Sequence, residues 1–128
     1  LVCTSILQAE TPEIWKFGKI IIRPYMQTAQ GECYSVPAEG DYTGRKGDLI
    51  EISYCYPYWD CTITEAACVS ADPKIVKEYK NWQGVSIGSG IIGSYATVSY
   101  FFKVIDKGAC DIILTIDGKS YTYHFTCG

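Results

Sequence analysis

Hydrophobic and polar positions alternate with a period of two along much of the second half of this chain. From Tyr95 to Ile105, Ala96, Val98, Tyr100, Phe102 and Val104 fall on one face, with Thr97, Ser99 and Lys103 on the other. That spacing predicts a long half-buried strand. Cys110 to Phe125 reads as a hairpin, because Asp117-Gly118 is a two-residue turn signal of the type I′ class. Centring the turn there pairs Leu114 with Tyr121, Ile112 with Tyr123 and Cys110 with Phe125, all apolar or Cys, so turn and register agree. Cys127 shares the inward face with Cys110, while His124 falls on the polar face with Thr122 and Thr126.

The first half is less regular. Asp48 to Tyr54 sets Ile50, Ile52 and Tyr54 against Glu51 and Ser53, with Cys55 following on the polar side. Lys19-Ile20-Ile21-Ile22-Arg23, closed by Pro24, is a second strand on its β-branched content. Residues 27–47 carry Gly31, Pro37, Gly40, Gly44 and Gly47 and read as a long loop tied down at Cys33. Asp72-Pro73 resembles a helix start, with Asp at the N-cap and Pro at the first helical position, so 72–80 is read as a short helix or an irregular strand. About seven strands with short turns predict an all-β, two-sheet antiparallel sandwich in a single domain, 1–128.

Cysteine content sets the compartment. Cys3, Cys33, Cys55, Cys61, Cys68, Cys110 and Cys127 form no Cys-x-x-Cys pair, and His124 is the only histidine, so no metal site is expected. Seven cysteines in 128 residues point to a secreted or extracellular protein with up to three disulfides. The odd thiol is then free or bridges two copies into a dimer. No Lys/Arg cluster stands out in the sequence, the net charge is −3, and no apolar run is long enough to cross a bilayer. Neither nucleic acid, a membrane span nor a cofactor is therefore expected.

Two stretches are candidates for partner binding. Tyr54-Cys55-Tyr56-Pro57-Tyr58-Trp59-Asp60-Cys61 holds four aromatics around a proline. A Cys55–Cys61 bridge would make it a rigid ring presenting Tyr56, Pro57, Tyr58 and Trp59, the kind of anchors that dominate protein interfaces. Gly84 to Ser94 includes Gly88-x-Gly90-x-x-Gly93, a dinucleotide fingerprint as a string but followed by a strand instead of a helix. It is read as a flexible loop offering Gly88, Ser89, Gly90, Ile91 and Ile92 to a partner. A catalytic triad would need His124, placed mid-strand among threonines, so the chain is read as a binding protein and not an enzyme.

Residues 47–54 and 69–116 resemble the chagasin-type inhibitors of papain-like cysteine peptidases. The resemblance runs through Gly47-Asp48-Leu49-Ile50-Glu51-Ile52, Asp72-Pro73-Lys74-Ile75-Val76 and Gly88-Ser89-Gly90-Ile91-Ile92-Gly93. It continues through Tyr100-Phe101-Phe102-Lys103-Val104, Lys107-Gly108 and Asp111-Ile112-Ile113-Leu114. It implies an immunoglobulin-like sandwich with function on three loops at one end, and it moves 72–80 towards strand. The family's Asn-Pro-Thr-Thr-Gly loop is replaced by Tyr56-Pro57-Tyr58-Trp59-Asp60, and its Arg-Pro-Trp loop by the tight turn Asp117-Gly118-Lys119-Ser120. The expected function is inhibition of a papain-like cysteine peptidase through end loops. The alternatives are a pathogen effector or adhesion module meeting a host protein or glycan, and a small lipid carrier.

Overall fold

The computed structural model describes residues 19–24, 33–57, 61–79, 84–90 and 93–128. The described chain is all-β and contains nine strands: β1 (Lys19–Ile22), β2 (Gly40–Gly44), β3 (Leu49–Tyr56), β4 (Ala66–Ser70), β5 (Val76–Glu78), β6 (Gly84–Gly90), β7 (Gly93–Val104), β8 (Gly108–Ile116) and β9 (Lys119–Cys127). They form a two-sheet sandwich, as the alternation predicts. Sheet A orders β1-β3-β7-β5, with β6 also paired to β7; sheet B orders β2-β9-β8-β4. Among the described residues no helix is long and apolar enough to cross a membrane.

The period-two faces meet between the sheets. Ile50, Ile52 and Tyr54 of β3 and Tyr100, Phe102 and Val104 of β7 face Cys68 of β4, Ile112, Leu114 and Ile116 of β8, and Tyr123 and Phe125 of β9 in one buried cluster. Burying such side chains fully contributes about 1.5–3 kcal/mol each before conformational entropy is charged against it. The lipid-carrier reading asks for space between the sheets, and large aromatic side chains stand there: Phe102, Tyr123 and Phe125 are almost wholly buried.

The β8–β9 hairpin is the one the sequence predicts. Cys110 pairs with Phe125, Ile112 with Tyr123 and Leu114 with Tyr121. Asp117 and Gly118 both have positive φ, 47° and 86°. A type I′ turn requires this, and Asp and Gly tolerate it best.

Three elements depart from the sequence reading. Two edge pairings of the sandwich run parallel: β1 beside β3 and β2 beside β9. The 27–47 loop therefore contains a strand, β2, whose Tyr42 stacks on Phe125 at 5.5 Å. The outward side of β3 is buried as well, since Glu51 and Ser53 are almost inaccessible. Ser53 shares a 2.8 Å hydrogen bond with Ser99 across the β3–β7 ladder, and Arg23 meets the Glu51 carboxylate at 3.3 Å. Cross-strand polar pairing satisfies groups that would otherwise be costly to bury.

Of the segment 72–80, the described residues 72–79 are both things the sequence suggested, in succession. Asp72 accepts the Lys74 amide on Oδ1 at 3.0 Å, and its carbonyl accepts the Ile75 and Val76 amides at 3.0 and 3.1 Å. This is a single helix-like turn. Val76 then enters β5 opposite Val104, and sheet pairing takes over.

Candidate functional site

Register alone brings three connections to one end of the sandwich. Tyr56, the last residue of β3, pairs with Ala96 on one side of β7, and Ile87 of β6 pairs with the same Ala96 on the other. The β6–β7 ladder continues through Gly88–Tyr95, Ser89–Ser94 and Gly90–Gly93. At about 3.4 Å per residue this hairpin projects roughly 10 Å past the end of β3. Gly88, Ser89, Gly90 and Gly93 are therefore in strands, which corrects their reading as part of a flexible loop. Glycine and serine permit the ladder, and pairing to β7 on every residue from 84 to 90 enforces it. Ile91 and Ile92 lie outside the described residues.

The β3–β4 connection leaves from the same end and is held on both flanks. Asp117 at the β8–β9 turn accepts the amides of Thr64 and Glu65 on Oδ1, at 3.0 and 2.8 Å, and donates its own amide to the Glu65 carbonyl at 2.9 Å. One aspartate thus shapes the β8–β9 turn and ties the β3–β4 connection to it. The sequence reading recognised the turn but not the tie. The signal was available only in that an aspartate, alone among good turn formers with φ > 0 beside asparagine, brings acceptor oxygens with it.

On the other flank Cys33 and Cys61 form a disulfide. This corrects the Cys55–Cys61 ring. Ser35 pairs with Cys55 through two backbone hydrogen bonds of 2.8 and 3.0 Å, which brings the segment carrying Cys33 alongside β3. The Cys55 side chain lies on the outward face, 3.3 Å from Thr97 Oγ1. Closing a loop with a sequence separation of 28 contributes about 3–4 kcal/mol in the chain-entropy account.

Cys55, Cys68, Cys110 and Cys127 carry free thiols, which corrects their assignment to disulfides; Cys3 lies outside the described residues. For Cys110 and Cys127 the reason is register: Cys127 stands opposite Gly108 and Cys110 opposite Phe125. Cys110 turns instead to Ser70 Oγ at 3.2 Å. Burial pushes the Cys68 thiol far up, with Glu78 adding to the effect. Burial also raises the Cys55 thiol, against the Thr97 hydrogen bond and the Arg23 charge.

Beneath the three connections lies a layer of tyrosines. Tyr56 is half-buried and stacks on Tyr54 at 6.1 Å, and Tyr54 stacks on Tyr100 at 6.3 Å. Tyr34 and Tyr121 join hydroxyl to hydroxyl at 2.7 Å with their rings edge-on. Of the aromatics assigned to partner binding, Tyr56 is thus part of the support, and Pro57 beside it is half-buried. Tyr58 and Trp59 lie outside the described residues. The supporting role of Tyr34 was not read from the sequence, where it falls within the supposed long loop.

His124 is exposed on the outer face of sheet B, 2.5 Å from Asp111 and in register with Asp41. It is apart from the three connections, as its position on the polar face predicts. Among the described residues no group of three metal-ligating side chains comes together.

No family model matches this chain, and no curated protein matches it. Solved structures do. The cysteine protease inhibitor EhICP2 of Entamoeba histolytica superposes with a TM-score of 0.57 at 14% identity, over 88% of this chain and 97% of that one. Domains 4 and 5 of the S-layer protein SbsC align with a TM-score of 0.46 at 17% identity, over 75% of this chain and 51% of that one. Amebosin aligns with a TM-score of 0.39 at 14% identity, over 69% and 88%. The first of these shows that the chain shares its sandwich fold with EhICP2.

Proposed function

We propose that this chain is a secreted inhibitor of papain-like cysteine peptidases. In this reading it blocks the active-site cleft with the β3–β4 connection and the β6–β7 hairpin end. The observation that carries the reading is the gathering of these two connections and the β8–β9 turn at one end of a sandwich that shares its fold with a cysteine protease inhibitor. A peptidase cleft is a groove, and a projecting hairpin flanked by a tied-down aromatic connection is shaped to enter one. The Asp117 tie and the Cys33–Cys61 disulfide hold the connection before binding, which lowers the ordering cost that weakens loop-mediated interfaces. No bond to the peptidase is made or broken. Tyr58 and Trp59 would supply the buried anchors, each contributing about 2 kcal/mol or more when fully desolvated. The disulfide is consistent with an oxidising compartment.

The test is titration of papain or a cathepsin L-like peptidase with a fluorogenic substrate, the inhibitor being kept oxidised. Competitive inhibition that weakens at least tenfold in Trp59→Ala, and is unchanged in His124→Ala, is the expected result. Absence of inhibition at micromolar protein overturns the reading and leaves the same end as a recognition surface for another target. Non-reducing electrophoresis decides whether a cysteine links two copies.

A further inference from the structure

The fold assembles cations that are scattered in the sequence. At the end opposite the three connections, one register row crosses four strands of sheet A. Lys19 of β1 stands beside Leu49 of β3, Leu49 beside Lys103 of β7, and Lys103 beside Lys77 of β5. Neighbouring strands lie about 4.8 Å apart, so Lys103 and Lys77 are directly opposed, an arrangement that like-charge repulsion makes unfavourable. The turns at this end add Arg45 and Lys46 before β3, Lys74 before β5 and Lys107 before β8, all four exposed.

These turns pack against one another. Gly47 donates its amide to the Val104 carbonyl at 2.8 Å, and Ile105 donates to the Ile75 carbonyl at 2.8 Å. At Gly108, where φ is 139°, an added Cβ would meet Ile75 Cδ1 at 2.7 Å, so the β4–β5 turn lies directly on the start of β8. Among the described residues, only Arg23 and Lys119 of the lysines and arginines lie elsewhere.

Among the described residues, the acids of this end are Asp48, Asp72 and Asp106 in the turns and Glu78 beside Lys77 in β5, four against seven cations. The three aspartates each accept a backbone amide of their own turn, from Arg45 at 2.8 Å, Lys74 at 3.0 Å and Lys107 at 2.9 Å. Asp41 and Asp111 lie on the outer face of the other sheet, in one row with His124. A chain with net charge −3 therefore carries one basic end.

We infer that this end is a second binding site, for a sulfated polysaccharide chain. The cations form a row and a surrounding rim, which suits an extended polyanion with charges along its length and not a single phosphate in a pocket. Among the described residues the exposed large hydrophobic side chains are Ile21 and Val69, and neither belongs to the row or to the turns that carry the cations. This inference rests on the secreted reading proposed above, in which sulfated glycans are among the polyanions the protein meets. Being at the far end, the site leaves the three connections free, and both partners can be held at once.

The experiment measures binding of the full, oxidised chain to a fluorescent heparin-derived octasaccharide by polarisation. The same assay is run with a desulfated octasaccharide, a DNA oligonucleotide of equal charge and vesicles containing anionic phospholipid. Binding of the sulfated octasaccharide that weakens with added salt is expected. The combined Arg45→Ala, Lys46→Ala, Lys74→Ala and Lys107→Ala variant should lose at least tenfold in affinity with unchanged thermal stability, and Lys119→Ala should lose nothing. Four exposed positions at turns make misfolding an unneeded explanation, and unchanged peptidase inhibition by the combined variant would separate this site from the one above. No binding of the sulfated octasaccharide, equal binding of the desulfated one, DNA or vesicles, or full affinity in the combined variant each overturns the inference.

Discussion

The β8–β9 and β6–β7 hairpins are built on the same antiparallel ladder and are specified in opposite ways. In β8–β9 every second residue is buried in the core, and the turn is Asp-Gly with both φ values positive. A slip of one residue would turn Ile112, Leu114, Tyr123 and Phe125 outward, so side chains fix the register. In β6–β7, the last three pairs are Gly88–Tyr95, Ser89–Ser94 and Gly90–Gly93. Little there can pin a register except the ladder itself and the continuation of β7 into the core. One hairpin is thus a structural staple, and the other trades side-chain specification for a slender projecting end. A fold that needs both keeps them on different sheets, so that loosening the second does not unseat the first.

The comparison can be broken most sharply at Tyr123. Tyr123→Ala should cost about 3–5 kcal/mol, because it empties a wholly buried aromatic site and removes the 3.0 Å hydrogen bond to the Pro37 carbonyl. Chemical denaturation with an unchanged m-value would measure it. A loss below about 1 kcal/mol would mean that the β8–β9 core face does not hold the hairpin.

Asp117→Ala comes next, at about 2 kcal/mol, since it puts a Cβ residue without acceptor oxygens at φ 47° and strands the Thr64 and Glu65 amides. It should also weaken peptidase inhibition, as the β3–β4 connection loses its tie. An inhibition constant that stays put while stability falls would uncouple turn from connection. Gly88→Ala marks the other limb. It should change stability by less than about 1 kcal/mol, because strands accept a methyl group more readily than glycine's freedom, yet it should alter inhibition, and no change in either would remove the β6–β7 end from the proposed interface.

The smallest effect is that of alkaline pH. Burial pushes the phenols of Tyr123, Tyr34 and Tyr54 well above their ordinary value of 10.0. Their folded pKa values exceed the unfolded ones, so the folded state binds more protons in between. The stability they contribute is fully present below pH 10 and is lost as pH rises beyond it. Tyr123→Phe, costing about 1 kcal/mol at neutral pH through the Pro37 hydrogen bond, should flatten that decline. An unaltered slope would assign the alkaline loss to the other phenols.

What the sequence disclosed follows the same division. β7 was legible as a half-buried strand, and the β8–β9 hairpin in three of its pairs, because core burial writes period two into the chain and Asp-Gly writes the turn. β2 was hidden because its Gly-Asp-Tyr-Thr-Gly carries only Tyr42 to the core and is recruited by a parallel edge that no local signal encodes. The burial of Glu51 and Ser53 was hidden because alternation reports which face is polar and not whether that face meets water. The Cys33–Cys61 bridge depended on Ser35 lying beside Cys55, a contact across 20 residues that spacing cannot reveal. At the candidate site, the stacking of Tyr56 on Tyr54 was hidden, since an aromatic run does not say which ring packs on which.

The parallel seating of β2 against β9 has a consequence for how the chain reaches its native state. Gly40 through Gly44 find their partners only at Tyr123 through Cys127, near the other terminus of the described chain. That edge cannot zip from a local turn, and its closure entropy must be met before any of its hydrogen bonds form. During synthesis β2 waits, with the Tyr42 ring uncovered, until β9 has left the ribosome. Closure of the edge is therefore a late event, and the uncovered strand is the place where a chaperone or a neighbouring nascent chain would meet this protein first.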